Sequence, residues 1–316
     1  MVRGHMPAMV GKGRTAGRLG KRVWKNWELY LLLLPAVVYL FIFCYMPMYG
    51  VQIAFKNFMP NRGINGSPWV GLKHFVRFMN LPSFGQIIWN TLSISLYTLV
   101  VSFPIPILLA LCINEIRGSG YRRCVQTISY APHFISTVVL VSLIDMFCNV
   151  EYGIINKLIT FFGGEAIAFT AEQRYFRSLY VLSGVWQSSG WSAIVYLSAL
   201  SSIDPQLHES AMIDGASRLQ RIIHINLPGI MPTVSLLFIL QVGGLMSVGF
   251  EKVFLMQKSI NLEVSEVIST YVYKQGLLQL QYSFSAAVGL FNSVINCVLL
   301  IITNTVSKTL GSNSLF

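Results

Sequence analysis

Long apolar runs separated by shorter polar segments dominate the pattern of the chain. Each run has roughly 20 residues or more, the length that an α-helix needs to cross a hydrocarbon core of roughly 30 Å. The first run is too long for the apolar part of a cleaved signal peptide. The six runs are residues 31–49, 87–113, 128–147, 179–200, 230–250 and 284–306. The pattern predicts an all-α integral membrane protein with six transmembrane helices and short interfacial helices.

Composition excludes an ordinary soluble domain. Of the 316 residues, 54% are hydrophobic and 11% are charged, against roughly 25% charged residues in a typical soluble domain. A net charge of +11 would suit a nucleic-acid binder with a clustered basic face, but the polar residues are too few to cover a globule. We therefore expect lipid, and no nucleic acid, as a partner. The five cysteines lack metal-ligand spacing with the five histidines, so we predict free thiols and no metal site.

Loop charges predict the orientation of the helices. Cytoplasmic loops carry an excess of Lys and Arg, and the side that holds both termini has thirteen of them, against ten on the opposite side. Seven of the thirteen lie in the basic segment 1–27, which we predict to be cytoplasmic, before a membrane domain at 28–316. Residues 18–29 are typical of an interfacial helix or of a basic anchor flank. Apolar residues at helical spacing predict a second interfacial helix near 154–162.

The connection at residues 203–228 is the most informative segment outside the apolar runs. Asp204 followed by Pro205 is a strong helix start, because an acidic N-cap precedes a proline at the first helical position. Asp214 and Gly215 then predict a turn, since glycine adopts positive φ without strain. A second helix is expected to begin near residues 216–217 and to end before Pro228. This predicts two short helices joined by a turn, on the side of the termini.

The spacing within this connection resembles the EAA loop of ATP-binding-cassette (ABC) importer permeases. That pattern is Glu-Ala-Ala, three residues, Gly, nine residues and Ile-x-Leu-Pro. It matches Glu209, Ala211, Gly215 and residues 225–228, with Ser210 in place of the first alanine. The resemblance implies a coupling helix that docks into a groove on a cytoplasmic ATPase subunit. The residues implied to couple the two subunits are Glu209, Ser210, Ala211, Asp214, Gly215, Ala216, Leu227 and Pro228.

Other segments resemble the carbohydrate branch of these permeases, in particular the members for oligosaccharide and polysaccharide uptake. They are residues 31–58, 63–75, 266–277, 282–296 and 312–316. The resemblance implies a bacterial cytoplasmic membrane protein that works with a second homologous permease subunit, two ATPase subunits and an extracytoplasmic solute-binding protein. ATP and Mg are expected on the ATPase subunits, and no cofactor in this chain, because the glycine-rich stretch 11–21 lacks the phosphate-binding arrangement.

Polar residues inside the predicted spans are candidates for the sugar path, because such residues are costly in a membrane. In maltose-type transporters, which the chain resembles, the sugar is held by the spans before and after the EAA loop. Amide groups can bind sugar hydroxyls and aromatic faces can cover C–H surfaces, although hydrogen bonds between helices are an equal alternative. The candidates are Gln187, Ser188, Trp191, Gln241 and Met246.

Three other functions stay open from the residues alone. An enzyme lacks support, because no metal site or nucleophile elbow is present, and an ion-coupled secondary transporter lacks an inverted repeat. The third alternative function is that of an ABC permease for a non-sugar solute. The outer loops hold ten basic against six acidic residues, and the first loop has only basic charges, namely Lys56, Arg62, Lys73 and Arg77. A positive rim favours an anionic, uronate-containing cargo, or else contacts with lipid headgroups or the binding protein.

Overall fold

The computed structural model describes residues 26–309, and this part of the chain is helical. Within these residues the backbone pairs only as an isolated bridge between Lys56 and Trp69, with no strand. The all-α prediction is therefore confirmed for this part. The described residues divide into two compact units, with the boundary between Gln52 and Ile53.

The first unit contains α1 (Trp27–Leu40) and α2 (Met46–Met48), joined by a π-helical turn at Phe41–Tyr45. None of the residues in these elements is buried. A helix that is apolar all round and exposed is typical of a membrane span. Most of the predicted interfacial helix at 18–29 lies outside the described residues.

The second unit is a series of helices of very different lengths, joined by turns and loops. Its helices are α3 (Gly63–Gly66), α4 (Lys73–Met79), α5 (Phe84–Ser102), α6 (Pro104–Asn114), α7 (Ser119–Tyr130), α8 (Thr137–Phe147), α9 (Ile154–Phe161), α10 (Gln173–Ser201), α11 (Pro205–Ile213), α12 (Arg218–Arg221), α13 (Leu227–Gly243), α14 (Phe250–Met256), α15 (Leu262–Ser265), α16 (Ile268–Tyr273) and α17 (Tyr282–Thr309). Helix α9 confirms the helix expected near 154–162.

Four continuous helical stretches in the described residues are long and apolar enough to cross a membrane. They are Trp27–Phe55, Phe84–Asn114, Arg218–Gly243 and Tyr282–Thr309. A bent pair, Ser119–Phe134 and Thr137–Phe147, raises the number to five if it forms one span. Helix α10 has 29 residues and is long enough, but its polar residues keep it out of this set. These candidates overlap five of the six predicted runs.

The prediction of one continuous helix at 128–147 is wrong. The two helices of the bent pair meet at an angle of 99°. Pro132 lies in a tight turn at Ala131–Phe134, and Ser136 is extended and caps α8 by accepting a hydrogen bond from the Val139 N–H. Proline has no N–H to continue the helical hydrogen bonds, and the backbone then becomes extended at Ile135 and Ser136. The chain therefore ends one helix and starts another within an apolar run.

Close packing around α10 holds the second unit together. Helices α6, α10 and α13 share an apolar core that includes Ile107, Ala193, Leu197 and Ile230. A Cβ atom at Gly190 would overlap the backbone carbonyl group of Ser129 at the end of α7. Only glycine permits this approach, because its backbone carries no side chain. These contacts fix α10 against the helices that flank it.

Asp145 near the end of α8 has a partner that the sequence does not indicate. Its Oδ1 atom accepts a hydrogen bond of 2.7 Å from the Nζ atom of Lys258. Both side chains are nearly half exposed, at 46% and 42%. The pair lies at an exposed end of the fold, where ion pairs contribute little to stability.

Candidate substrate cavity and coupling loop

A cavity of about 870 Å³ lies within the second unit. Its volume is in the range of about 300–1,000 Å³ that is common for sites that bind small molecules. The walls come from helices α5, α6, α10 and α13 and from the starts of α8 and α14. Polar and aromatic residues that line it include Thr98, Thr137, Tyr180, Gln187, Ser188, Ser189, Trp191, Tyr196, Gln241, Glu251 and Lys252.

Four of the five predicted path residues line this cavity. Gln187, Ser188 and Trp191 come from α10, and Gln241 comes from α13. The structure therefore brings together residues that are far apart in sequence, as spans four and five were expected to do. The Gln241 side chain makes no hydrogen bond within the described residues, so its amide is available to a ligand.

Met246 does not line the cavity. It is 3% exposed and packs in an apolar cluster with Phe78, Phe284 and Val288. Helix α13 ends at Gly243, so Met246 lies beyond the helix that carries Gln241, and its N–H donates to Asn296 Oδ1 at 2.9 Å. The location of Met246 supports a packing role and not the predicted contact with sugar.

Gln187 and Trp191 also contact the bend between α7 and α8. The Gln187 Nε2 atom donates to the Ile135 carbonyl oxygen at 2.8 Å. The His133 ring stacks on the Trp191 indole at a centroid distance of 4.6 Å and an interplanar angle of 3°. Trp191 remains 45% exposed, so the imidazole covers one face of the indole and leaves part of the side chain to the cavity.

Lys252 is a cavity residue that the sequence pattern does not reveal. Because it follows the fifth apolar run, the pattern assigns it to an outer loop. In the structure its Nζ atom donates to the Tyr180 carbonyl oxygen at 2.8 Å and lies 4.7 Å from the centroid of the Tyr180 ring. It forms no ion pair within the described residues. Burial lowers the pKa of Lys252 to about 8, because desolvation disfavours the charged ammonium group.

Two of the four basic residues of the first outer loop are held by contacts within the chain. Lys56 donates from Nζ to the Ile64 carbonyl oxygen at 2.8 Å and lies over the Trp69 ring. The Arg77 guanidinium group lies 4.5 Å from the centroid of the Phe284 ring. These contacts give both residues a structural role and weaken the case for a steering rim built on them.

The first part of the connection at 203–228 has the geometry that its residues predict. The Asp204 carboxylate caps α11 by accepting from the Gln206 N–H at 2.9 Å. Gly215 has a φ of +77°, and the Ala216 N–H donates to the Ala211 carbonyl oxygen at 2.8 Å. This bond and positive φ form the usual glycine end of a helix. Helix α11 is thus capped at both ends.

The second part of the connection differs from the prediction. Ser217 and Gln220 cap α12 with two reciprocal hydrogen bonds of 2.7 and 3.3 Å. A π-helical turn at Ile222–Asn226 then leads into α13, so the helix continues through Pro228. The π-helical turn directly before Pro228 changes the local hydrogen-bonding pattern, at the point where proline supplies no N–H. Leu227 and Pro228 thus lie within the continuous helical stretch Arg218–Gly243 and not, as predicted, at its start.

Helix α11 presents a mixed apolar and polar surface. Glu209, Ser210 and Asp214 are exposed, while Ala211 and Ala216 are partly covered. Beside them, Leu207 is 54%, Met212 is 53% and Ile213 is 87% exposed. These three apolar side chains project at different angles around the helix axis, because successive residues are about 100° apart, and they give α11 exposed apolar area that a protein partner can cover.

Comparison with known proteins gives relatives over nearly the whole chain. The "Polygalacturonan/rhamnogalacturonan transport system permease protein YteP" of Bacillus subtilis (strain 168) is 43% identical over 98% of this chain and 96% of its own length. The "Arabinooligosaccharides transport system permease protein AraP" of the same organism is 28% identical over 90% of this chain and 88% of its own length.

A solved structure shows the same fold. It is the bacterial alginate ABC transporter in complex with an alginate pentasaccharide-bound periplasmic protein. One of its chains matches with a TM-score of 0.86 and 39% identity, covering 94% of this chain and 100% of that chain. A second structure, of a bacterial ABC transporter for import of the acidic polysaccharide alginate, gives a TM-score of 0.84 and 40% identity over 92% of this chain and 99% of that one.

The family assignment rests on a sequence profile as well. Residues 102–311 match the profile of the "Binding-protein-dependent transport system inner membrane component". The resemblance to ABC sugar permeases is confirmed, and the subunit is a transport component and not an enzyme. The chain belongs to the family of inner-membrane components of binding-protein-dependent transport systems.

Proposed function

We propose that this chain is the permease subunit of an ATP-driven ABC importer for acidic oligosaccharides or polysaccharide fragments, which a solute-binding protein delivers. The observation that carries the proposal is the composition of the cavity. Amide groups at Gln187 and Gln241 suit sugar hydroxyls, the Trp191 indole suits a sugar face, and Lys252 supplies a positive charge. The named substrates of relatives at about 40% identity, polygalacturonan, rhamnogalacturonan and alginate, are acidic and support the same choice.

The proposed importer contains a second, homologous permease subunit, which completes the path on the open side of the cavity. Two ATPase subunits bind ATP and Mg and hydrolyse the nucleotide. In this arrangement the four apolar stretches, α10 and the bent pair α7–α8 form six membrane segments. An even number of segments leaves both termini on the same side of the membrane, which is the cytoplasm in this proposal. The excess of Lys and Arg on the side of the termini supports this orientation.

Helix α11 is the proposed contact with an ATPase subunit. The exposed apolar residues Leu207, Met212 and Ile213 would be covered in a groove, and Glu209 would lie on the docking helix. Hydrogen bonds cap both ends of α11 and make it rigid. A movement of the groove on the ATPase subunit would therefore be transmitted through α11 and the short connection to α13. The match to the EAA spacing supports this role.

The test is ATP-dependent uptake in proteoliposomes that contain the full complex and its binding protein. We expect uptake of tetragalacturonate to depend on ATP and on the binding protein. A neutral arabinooligosaccharide of equal length is the comparison, because the relative AraP, at 28% identity, carries that substrate in its name. Uptake of the neutral sugar alone would contradict an acidic cargo, and uptake of neither sugar would contradict the proposed substrate class.

A further inference from the structure

We infer that Lys252 binds a carboxylate group of the acidic oligosaccharide as it passes through the cavity. The inference rests on the proposed function and adds a specific residue and a specific chemical group to it. Its basis is the position of the ammonium group, the absence of a carboxylate partner within the described residues, and the residues that share the cavity with it.

The position of the ammonium group is fixed by Tyr180. The Tyr180 carbonyl oxygen accepts from Nζ at 2.8 Å, and the ring of the same residue lies 4.7 Å away. A Cβ atom at Gly184, one helical turn further along α10, would lie 3.1 Å from Nζ. The absence of a side chain at Gly184 therefore allows the ammonium group to approach the backbone of α10. These contacts hold the long side chain of Lys252 in place at the cavity wall.

The charge of Lys252 is not balanced within the described chain. The ion pairs in these residues join Arg174 with Glu172, Lys258 with Asp145 and Lys274 with Glu266. An ammonium group has three N–H donors, and the Tyr180 carbonyl group accounts for one of them. A partly buried charge without a partner is unfavourable. A carboxylate that enters the cavity would remove this cost and accept the remaining hydrogen bonds.

The other charged residue of the cavity wall does not serve as that partner. Glu251 precedes Lys252 in α14 and is exposed. Neighbouring residues on a helix point in different directions, and no ion pair forms between Glu251 and Lys252 in the described chain. The cavity wall thus contains one positively charged group together with the amide groups of Gln187 and Gln241. A uronate unit carries a carboxylate and several hydroxyl groups, which matches these side chains.

The test compares variants of the full transporter in proteoliposomes, with the binding protein saturated by tetragalacturonate. Lys252→Met keeps most of the apolar stem and removes the charge, Lys252→Gln keeps a hydrogen-bond donor, and Lys252→Arg keeps the charge. We expect uptake per assembled complex to fall about tenfold or more in the first two variants, since charge-assisted hydrogen bonds are the stronger ones, and to recover in part in Lys252→Arg. Lys157→Met, at an exposed lysine of α9 outside the cavity wall, is the matched control and should transport normally.

The outcomes separate this inference from the proposed function. If the unmodified transporter does not take up tetragalacturonate, the proposed function fails and the inference falls with it. If it does, and Lys252→Met and Lys252→Gln transport tetragalacturonate as well as Lys157→Met does, only the assignment of Lys252 is overturned. An equal fall in Lys252→Met, Lys252→Gln and Lys252→Arg would also overturn it, because a recognition role requires that the charge restores uptake.

Discussion

The ammonium nitrogen of Lys252 lies 3.1 Å from the point that a Cβ atom at Gly184 would occupy. Alanine at position 184 would push the ammonium group by a few tenths of an ångström. We predict that Gly184→Ala reduces uptake of tetragalacturonate roughly threefold, because a displaced ammonium group would bind the carboxylate of the substrate less well. Since alanine favours helix over glycine by about 1 kcal/mol, the melting temperature should not fall. Unchanged uptake would show that the space beside Gly184 does not matter for transport.

Gly190→Ala, at a second glycine of the same helix, should give the opposite result. A Cβ atom there would overlap the Ser129 backbone carbonyl group, which cannot move aside as a flexible side chain can. We predict a loss of stability of about 1–3 kcal/mol or more, measured as a lower melting temperature and lower yield of the complex. Gly289→Ala in α17 is the control, because nothing lies within 4 Å of its would-be Cβ atom. A stable Gly190→Ala complex would contradict the close approach of α10 and α7.

Gly215→Val should uncouple ATP hydrolysis from transport. No atom lies within 4 Å of a Cβ atom at this position, so the expected damage comes from the φ of +77°, which strains a β-branched residue by about 1–3 kcal/mol. We predict reduced assembly with the ATPase subunits or reduced stimulation of hydrolysis by the binding protein. Gly215→Asn should retain most of the stimulation, since asparagine tolerates this backbone conformation. Full stimulation in Gly215→Val would contradict the coupling role of the turn.

The two cavity glutamines should respond differently to alanine. Gln187 donates to the Ile135 carbonyl oxygen at 2.8 Å, so Gln187→Ala should lower both transport and stability, the latter by about 1 kcal/mol. Gln241 has no hydrogen bond of its own in the described residues, so Gln241→Ala should lower transport and leave the melting temperature unchanged. Equal loss of stability in both variants, with normal transport per folded complex, would favour purely structural roles.

Local signals in the sequence were sufficient to predict the first helix and the turn of the connection at 203–228. Asp204, Pro205 and Gly215 each determine the backbone within a few residues of themselves, and the helix caps and the turn form where those residues predict them. The break near Pro132 was missed because apolar length alone does not distinguish one long helix from two bent ones. Hydropathy is high throughout residues 128–147, so it does not indicate the helix end near Pro132.

Contacts between distant segments could not be predicted in the same way. Lys252 and Tyr180 are 72 residues apart, and nothing in the local pattern pairs a lysine after one apolar run with a carbonyl group in another. Met246 shows the converse, since an apolar residue inside a predicted span can belong to the path or to a core. Its burial against Phe78 and Phe284 follows from how the helices pack.

The π-helical turn at Ile222–Asn226 sets the rotational register of the helix that follows it. Such a turn contains one more residue than an α-helical turn, and one residue corresponds to a rotation of about 100° around the helix axis. The side of α13 that faces the cavity therefore depends on this extra residue. Without this residue, every side chain beyond Leu227 would be rotated around the helix axis by about 100°. Gln241 would then point away from the cavity that it lines together with Lys252.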